Sequence, residues 1–237
     1  MKNLIRINKF IAQSTGCSRR KAEALVTAGH VKVNGSTIYN LGTKVSYGHD
    51  KVLVHNKLVN PRSFVYYAVN KPVGYTSTRI DPFAEKKVSD LVPKHPPVYP
   101  AGRLDKNSQG LILLTNDGEL TQQLSHPSKH VEKEYYVEAR TAKESWDSTQ
   151  LRRLRSGVNI GGYKTKPAEV SGWKHMGRRV SFYITLQEGK KRQIRRMSQR
   201  IGLEVELLRR VRIGKLKLGD IESGKYRKIS RDDILQE

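Results

Sequence analysis

"GRLDKNSQGLILLTNDGEL", residues 102–120, places a polar turn, an apolar run and the start of a helix one after another. The segment around Asp105 is rich in Asn, Ser and Gly, which favour turns. The apolar run at 110–116 has the length of a buried strand, and GELTQQLS (118–125) has the pattern of a short helix. A carboxylate therefore lies directly before a core strand. On these residues alone, an Asx turn explains Asp105 at least as well as a catalytic role does.

Strand patterns outnumber helix patterns over the rest of the chain from Phe64 onward. Further strands are predicted from FVYYAVNKPVG (64–74), EYYVEA (134–139) and RRVSFYITLQEG (178–189). Further helices are predicted at 142–156 and 190–202. Because these elements do not alternate regularly as βαβ units, we predict the α+β class with a mixed, largely antiparallel sheet.

The N-terminal segment predicts two helices separated by a short stop. Gly16 ends the first helix, Ser18 caps the second, and Gly29 ends the second. Cations on these helices are interpreted as an RNA-facing surface, with a solvated helix face as the alternative. They are Arg6 and Lys9 on the first helix, and Arg19, Arg20 and Lys21 at the start of the second.

Two hairpins are expected to complete this N-terminal unit. The Asn-Gly pair at 34–35 accepts the positive φ values of a two-residue turn. A second strand pair is predicted around KVSYGHDKVLVHN (44–56). Pro61 lies in a short segment that is plausible as a linker. We therefore predict one domain at 1–60 and a second at 64–237.

The whole chain is strongly basic. Its 237 residues include 45 Lys and Arg against 22 Asp and Glu, which gives a net charge of +23. Residues 1–60 carry +8 and the remainder carries +15, so both parts can bind a polyanion. Nucleic acid is favoured over a membrane surface, because the sequence has no 18-residue apolar run and no long basic amphipathic helix.

Cysteine content and the N-terminal sequence indicate the compartment. A single cysteine, Cys17, excludes an intrachain disulfide and a thiolate metal cluster. The first residues do not form the continuous apolar segment of a signal peptide. Both features fit a reducing environment, so we expect a cytoplasmic protein that does not associate with membranes.

Familiar cofactor and metal motifs do not occur in the sequence. It contains no pattern typical of dinucleotide binding, of a phosphate-binding loop, of a zinc protease or of a serine nucleophile. His126 and His130 are four residues apart, but Pro127 lies between them and no third ligand is placed by the pattern. We therefore expect neither a cofactor nor a metal.

A second basic block, GKKRQIRRMSQR (189–200), lies at a strand-to-helix transition. Apolar residues within and after it repeat at helical spacing: Ile194, Met197 and Ile201. Arg195 adjoins that apolar face, so we expect it to be partly buried and to need a carboxylate partner, for which Asp105 is the candidate. A guanidinium there would lower the pKa of the carboxyl group and keep it charged. The other cations form a solvated or RNA-facing surface: Lys190, Lys191, Arg192, Arg196 and Arg200.

Four segments follow one another in an order that resembles a known family. They are NKPVG (70–74), GRLDKNSQGLILLTNDGEL (102–120), HPSKHVEKEYYV (126–137) and EGKKRQIRRM (188–197). Together they resemble the ribosomal RNA pseudouridine synthases of the RsuA type, which include the RluB, RluE and RluF groups. GRLD in place of HRLD is typical of this branch and not of the RluA branch. SRRKAEALVTAGHVKVNG (18–35) resembles an S4 RNA-binding domain, of the αL type, ahead of the catalytic domain.

The resemblance implies roles for four residues. Asp105 matches the essential aspartate of the family, and Arg195 matches the basic residue that pairs with it. Tyr135 matches the tyrosine that packs against the target base. Arg103 corresponds to the motif arginine that is expected near the displaced nucleotide or its phosphate.

The implied activity is conversion of one uridine in ribosomal RNA to pseudouridine, without a cofactor. Asp105 would either attack C1′ or remove the C2′ proton, and the sequence leaves both routes open. The segment 126–137 favours 23S rRNA, with 16S rRNA as the alternative, and transfer or messenger RNA is not excluded. A non-catalytic S4-type RNA-binding or ribosome-assembly factor is the rival from another class. We expect a monomer whose partner is ribosomal RNA or an assembly intermediate.

Overall fold

The computed structural model describes residues 4–78, 84–141 and 146–235, which form two compact units. The first contains the described residues up to Val65 together with His95–Val98, and the second contains the others from Tyr66 onward. No helix among the described residues is long and apolar enough to cross a membrane.

The described residues of the N-terminal unit form two helices and six short strands. These are β1 (Leu4–Arg6), α1 (Ile7–Thr15), α2 (Arg19–Thr27), β2 (Val31–Val33), β3 (Ser36–Thr37), β4 (Lys44–Ser46), β5 (Val52–Val54) and β6 (Lys57–Leu58). Gly16 adopts the left-handed conformation after α1, and the Ser18 hydroxyl accepts a hydrogen bond from the Lys21 N–H at the start of α2. Gly29, at φ +71°, follows the end of α2. These local predictions are therefore confirmed.

Two predictions about this unit were wrong. The first helix begins at Ile7, so Arg6 lies in β1 and not on the helix. Both strands predicted within 44–56 form, but β4 pairs with β1, whereas β5 pairs with β2 and β6. The physical reason is that Ile5 and Ile7 both point into the core with a period of two, which makes the start of the chain a strand partner for β4.

The second unit contains one nine-stranded sheet, three α-helices and three short 3-10 helices (Val88–Leu91, Pro127–Lys129 and Ser148–Gln150) in its described residues. Its elements are β7 (Tyr66–Lys71), β8 (Tyr99–Pro100), β9 (Gln109–Thr115), α3 (Gly118–Ser125), β10 (Lys133–Thr141), α4 (Leu151–Ser156), β11 (Glu169–Met176), β12 (Arg179–Leu186), α5 (Gln193–Gln199), β13 (Leu203–Ile213), β14 (Leu216–Lys217) and β15 (Tyr226–Ile229). The strand order is β11-β12-β10-β13-β9-β7-β15, with β8 paired to β9 and β14 paired to β13. Among the described strand pairs of this sheet, β9 with β13 is parallel and the others are antiparallel. The predicted α+β class with a mixed, largely antiparallel sheet is therefore confirmed.

The helices of this unit match the sequence pattern to different degrees. The helix expected at 118–125 is α3, and the Asp117 carboxylate caps it by accepting from the backbone N–H groups of the first turn. In the segment 142–156, residues 142–145 lie outside the described residues. Trp146 is not helical, its indole N–H donates to the Ile201 carbonyl from within the core, and the α-helix is limited to α4. The helix expected at 190–202 is shorter, because Arg192 takes a left-handed conformation immediately before α5.

The parallel contact between β9 and β13 positions the candidate site. Gln109 and Gly110 pair with Arg209 and Arg210. Gly110 has φ +100°, and a Cβ atom on it would lie 2.3 Å from the Arg210 carbonyl oxygen, so only glycine lets the two backbones approach. The loop that carries Asp105 therefore enters the sheet beside the middle of β13.

Candidate active site

A cleft of about 500 Å³ lies in the second unit above the loop that contains Asp105. Asp105 and Tyr135 both line it, so the structure brings together two of the three residues expected to be catalytic. The loop 102–108, the start of β10, the segment 186–194 and Arg210 form its walls. Asp105 is partly exposed, which leaves its carboxylate accessible from the cleft.

Buried side chains fix the backbone of the Asp105 loop. The Ser77 hydroxyl donates to the Leu104 carbonyl at 3.0 Å and accepts from the Leu104 N–H at 3.2 Å. Lys71 is fully buried, and its ammonium lies 2.6 Å from the Ser108 carbonyl oxygen and 3.4 Å from that of Lys106. The segments NKPVG and GRLDKNSQG, which lie far apart in the sequence, are thus joined through Lys71.

The charge on Lys71 is coupled to that on Asp105. Burial lowers the pKa of Lys71 to about 8, the Asp105 carboxylate acts to raise it, and the Arg210 guanidinium acts to lower it further. A buried cation without a counter-charge is costly, so the nearby Asp105 charge offsets part of the cost of burying the Lys71 ammonium.

Arg210 is the second buried cation at this site, with a side chain only 2 % exposed. Its Nε donates to the Leu111 carbonyl at 2.7 Å, and Nη1 lies 3.5 Å from the Arg103 carbonyl oxygen. Nη2 is buried without a hydrogen-bond partner, although the side chain lines the cleft. Arg210 therefore contacts both ends of the Asp105 loop, and its Nη2 group has no hydrogen-bond partner among the described residues.

Arg195 is partly buried on α5, as expected, and the apolar stripe beside it is buried. Its guanidinium donates to the Val205 carbonyl at 2.7 Å and to the Asn107 carbonyl at 2.9 Å. In the described part of the chain no ion pair within 4.0 Å joins Arg195 to Asp105, but the Asp105 charge raises the pKa of Arg195 against the larger lowering by burial. Arg195 thus acts on the Asp105 loop through the Asn107 backbone.

Tyr135 reaches the cleft because β10 is irregular at this point. The register between β10 and β13 shifts between Glu134 and Tyr135, a β-bulge of the kind that redirects side chains beside functional sites. The Tyr135 ring is partly buried and packs against the core cluster under α5. This support holds the ring as a platform that a planar base could stack on.

Lys133, also on β10, is a further weakly basic group in the cleft. Burial lowers its pKa to about 8, and the nearby Arg210 charge contributes to the lowering. Its ammonium donates to the Val131 carbonyl at 3.0 Å. Lys71 and Lys133 are therefore both easier to deprotonate than an exposed lysine.

The far wall of the cleft is a hydrogen-bonded network around Glu188. Its carboxylate accepts from the Tyr163 hydroxyl, from the Gln193 side chain and from the Lys166 N–H. The Lys190 ammonium lies 4.6 Å from the centroid of the Tyr163 ring. This arrangement fixes the segment that presents lysines and arginines to the cleft.

The basic residues expected to bind RNA occupy three places. Arg103, Lys190, Lys191 and Arg192 line the Asp105 cleft, whereas Arg196 does not. Arg196 donates to the Ile160 carbonyl. In the N-terminal unit, Arg6, Arg19, Arg20 and Lys21 are exposed and Lys9 is partly buried.

The sequence interpretation missed Lys71, Lys133 and Arg210. A signal for Arg210 exists, since the two-residue period of β13 places it on the same face as buried Leu208. Lys71 was visible only as part of NKPVG, because nothing local shows that its ammonium lies under another loop. Among the described residues, no three His, Cys, Asp or Glu side chains group closely enough to hold a metal ion.

Comparisons with known proteins identify two matching families. The family model described as RNA pseudouridylate synthase matches residues 65–200, and the S4 domain model matches residues 5–52. The dual-specificity RNA pseudouridine synthase RluF of Escherichia coli K12 is 38% identical over 234 residues, covering 98% of this chain and 77% of that protein. The ribosomal large subunit pseudouridine synthase B of Bacillus subtilis is 36% identical over 232 residues, covering 97% and 93%. A crystal structure of a pseudouridylate synthase superposes with a TM-score of 0.64 at 26% identity and covers 97% of each chain.

Proposed function

Because the chain belongs to the RNA pseudouridylate synthase family and carries an S4 domain, we propose that it isomerises one uridine of ribosomal RNA, with 23S rRNA as the favoured substrate. The observation that carries the proposed site is the shared cleft of Asp105 and Tyr135, with buried cations under the carboxylate. The favoured subunit is supported by a relative named for the large ribosomal subunit.

Asp105 is the reacting group in this proposal. Isomerisation breaks the bond from N1 to C1′, rotates the uracil and joins C5 to C1′. The C5 proton is lost and N1 gains a proton, so the atoms balance without a co-reactant. The carboxylate either attacks C1′ to form a covalent intermediate or removes the C2′ proton, and both routes need an ionised group within reach of the sugar.

The other residues bind and orient the nucleotide. A uridine must leave its stack for the sugar to reach Asp105, which costs a few kcal/mol. Stacking on the Tyr135 ring offsets part of that cost. In this proposal Arg103 and the lysines of the far wall, which line the cleft, bind phosphates of the RNA, and Arg195 and Arg210 keep the Asp105 loop in place.

The test is to incubate the full-length protein with unmodified 16S and 23S transcripts and to map pseudouridine chemically at nucleotide resolution. We expect a single new pseudouridine in 23S rRNA. Product in 16S rRNA alone would move the assignment to the small subunit. No product in either transcript at low salt, with RNA binding intact, would refute ribosomal RNA as the substrate.

A further inference from the structure

A second cavity of about 790 Å³ in the same unit is lined by five arginines, and we call it the arginine pocket. They are Arg140, Arg178, Arg192, Arg195 and Arg196. Arg192 lines both this pocket and the Asp105 cleft, so the two cavities meet at the start of α5. Thr141 and Gln199 add polar groups to the wall.

Among its described lining residues, the arginine pocket has five cationic side chains and one acidic side chain. Glu204 is the one acidic residue among the lining residues that the structure describes. In the described part of the chain no carboxylate lies within 4.0 Å of Arg140, Arg192 or Arg196. Arg192 is close enough to Arg195 to lower the pKa of its guanidinium. The like charges of Arg140, Arg192, Arg195 and Arg196 repel one another, and an anion in the pocket would reduce that cost.

The chemistry of the pocket selects phosphate groups. Guanidinium groups bind phosphate oxygens through paired hydrogen bonds, and they retain their charge at any physiological pH. Arg192, which lines both cavities, indicates the path of the RNA from the cleft to the pocket. A strand whose uridine lies against Asp105 would pass Arg192 as it leaves the cleft. This step rests on the proposed function.

We propose that the arginine pocket binds a backbone phosphate of the RNA strand that continues from the nucleotide held in the Asp105 cleft. Arg195 connects the two places, because it lines the pocket while donating to the Asn107 carbonyl, two residues from Asp105. The pocket therefore fixes the path of the strand and touches the residue that holds the catalytic loop.

The experiment compares two double variants that each remove two positive charges. Arg140→Gln with Arg178→Gln changes two pocket arginines, and the control Arg152→Gln with Arg153→Gln changes two exposed arginines of α4 that line neither cavity. Binding of a 23S rRNA fragment is measured against salt concentration. We expect the pocket variant to bind at least about tenfold more weakly, since it loses charge-assisted hydrogen bonds to phosphate. Its slope of log affinity against log salt should fall by about 0.7 for each phosphate that the pocket no longer neutralises.

A second pair of measurements separates this result from misfolding and from free phosphate. Arg140→Lys with Arg178→Lys keeps the charge, so its salt slope should stay near that of the wild type while its affinity falls. Unchanged affinity and slope in the glutamine variant, equal to the control, would overturn the proposal. The proposal would also be overturned by the following pair of results. Inorganic phosphate raises the melting temperature only when Arg140 and Arg178 are present, and the salt slope of RNA binding does not differ between the wild type and the glutamine variant. The binding and melting measurements need no turnover, so they test the pocket alone. Absence of pseudouridine with the wild type would refute the proposed function and not the proposal for the pocket.

Discussion

The buried cations under Asp105 and the exposed cations of α2 carry the same charge in opposite settings. Lys71 and Arg210 are almost fully buried, and they donate to backbone carbonyls of the Asp105 loop and of the strand β9 that follows it. Arg19, Arg20 and Lys21 are exposed in the first turn of α2, where the helix dipole disfavours cations. The positive charge therefore has two settings, since the buried cations hold the Asp105 loop and the exposed ones are accessible to a polyanion such as RNA.

The largest expected effect is on pseudouridine formation, and it comes from removing the charge of Asp105, which lies near the buried cations. Asp105→Asn should lower single-turnover pseudouridine formation by on the order of 10³-fold or more, the scale of a catalytic group. RNA affinity should stay within a few fold, because the exposed cations are unchanged. Asp220→Asn is the control, since the Asp220 side chain is 94% exposed and lines neither cavity. Normal turnover by Asp105→Asn would remove Asp105 from the mechanism.

The second effect is a pH dependence of the free energy of unfolding, which comes from the buried Lys71. Lys71 has a pKa of about 8 in the folded protein and about 10.5 when unfolded, so the unfolded state binds more protons between these values. The free energy of unfolding should therefore rise with pH across that interval, relative to Lys71→Met. At about 1.4 kcal/mol for each pKa unit, the rise is on the order of 3 kcal/mol.

Urea denaturation at several pH values measures this difference. The matched variant is Lys21→Met, which removes an exposed lysine of α2 and should leave the pH dependence of the wild type unchanged. A constant difference between wild type and Lys71→Met from pH 8 to 10.5 would show that burial does not shift the protonation of Lys71.

The third prediction concerns Arg192, where two substitutions distinguish the backbone strain of this residue from its contribution to RNA binding. This residue has φ +52°, which disfavours a side chain, and it borders both cavities. Arg192→Gly should raise the free energy of unfolding by up to about 1 kcal/mol, and it should weaken RNA binding by about tenfold. Arg192→Ala should weaken binding equally without the gain in stability. Thermal unfolding and filter binding check both statements, and equal stability of the two variants would contradict the strain.

The smallest effect is expected for single exposed cations of α2. Arg20→Gln should weaken RNA affinity only a few fold and should lower the salt slope by about 0.7, the value for one neutralised phosphate. Stability should change by less than about 0.5 kcal/mol, because the side chain is exposed. Salt-titrated binding and urea denaturation measure the two quantities, and an unchanged salt slope would exclude Arg20 from the RNA-binding surface.

Local chemistry in the sequence was enough to predict several of these features. Gly16 and Ser18 set the helix limits through their own backbone and side-chain preferences, and Ile194 with Met197 marked the buried face of α5. These features depend on neighbours within a few residues. The same is true of the turn at Asp105 and of the strand that follows it.

The buried cations could not be predicted, because their surroundings come from distant segments. The Lys71 ammonium donates to carbonyls that are more than thirty residues away in the sequence. The Arg210 guanidinium donates to carbonyls that are about a hundred residues away. The pairing of β4 with β1 has the same origin, since its partner lies outside any local pattern. For Arg195, the apolar spacing of α5 predicted burial, but its hydrogen bonds go to two backbone carbonyls that no local pattern indicates.

The parallel contact at Gly110 also sets an order of events during synthesis. β9 leaves the ribosome about a hundred residues before β13, whose Arg209 and Arg210 complete the contact. At 5–20 residues per second, this delay is roughly 5–20 s. The strands of the N-terminal unit are all made before β9, so a nascent chain acquires its S4 domain first. The S4 domain is therefore synthesised in full several seconds before the contact that fixes the Asp105 loop can form.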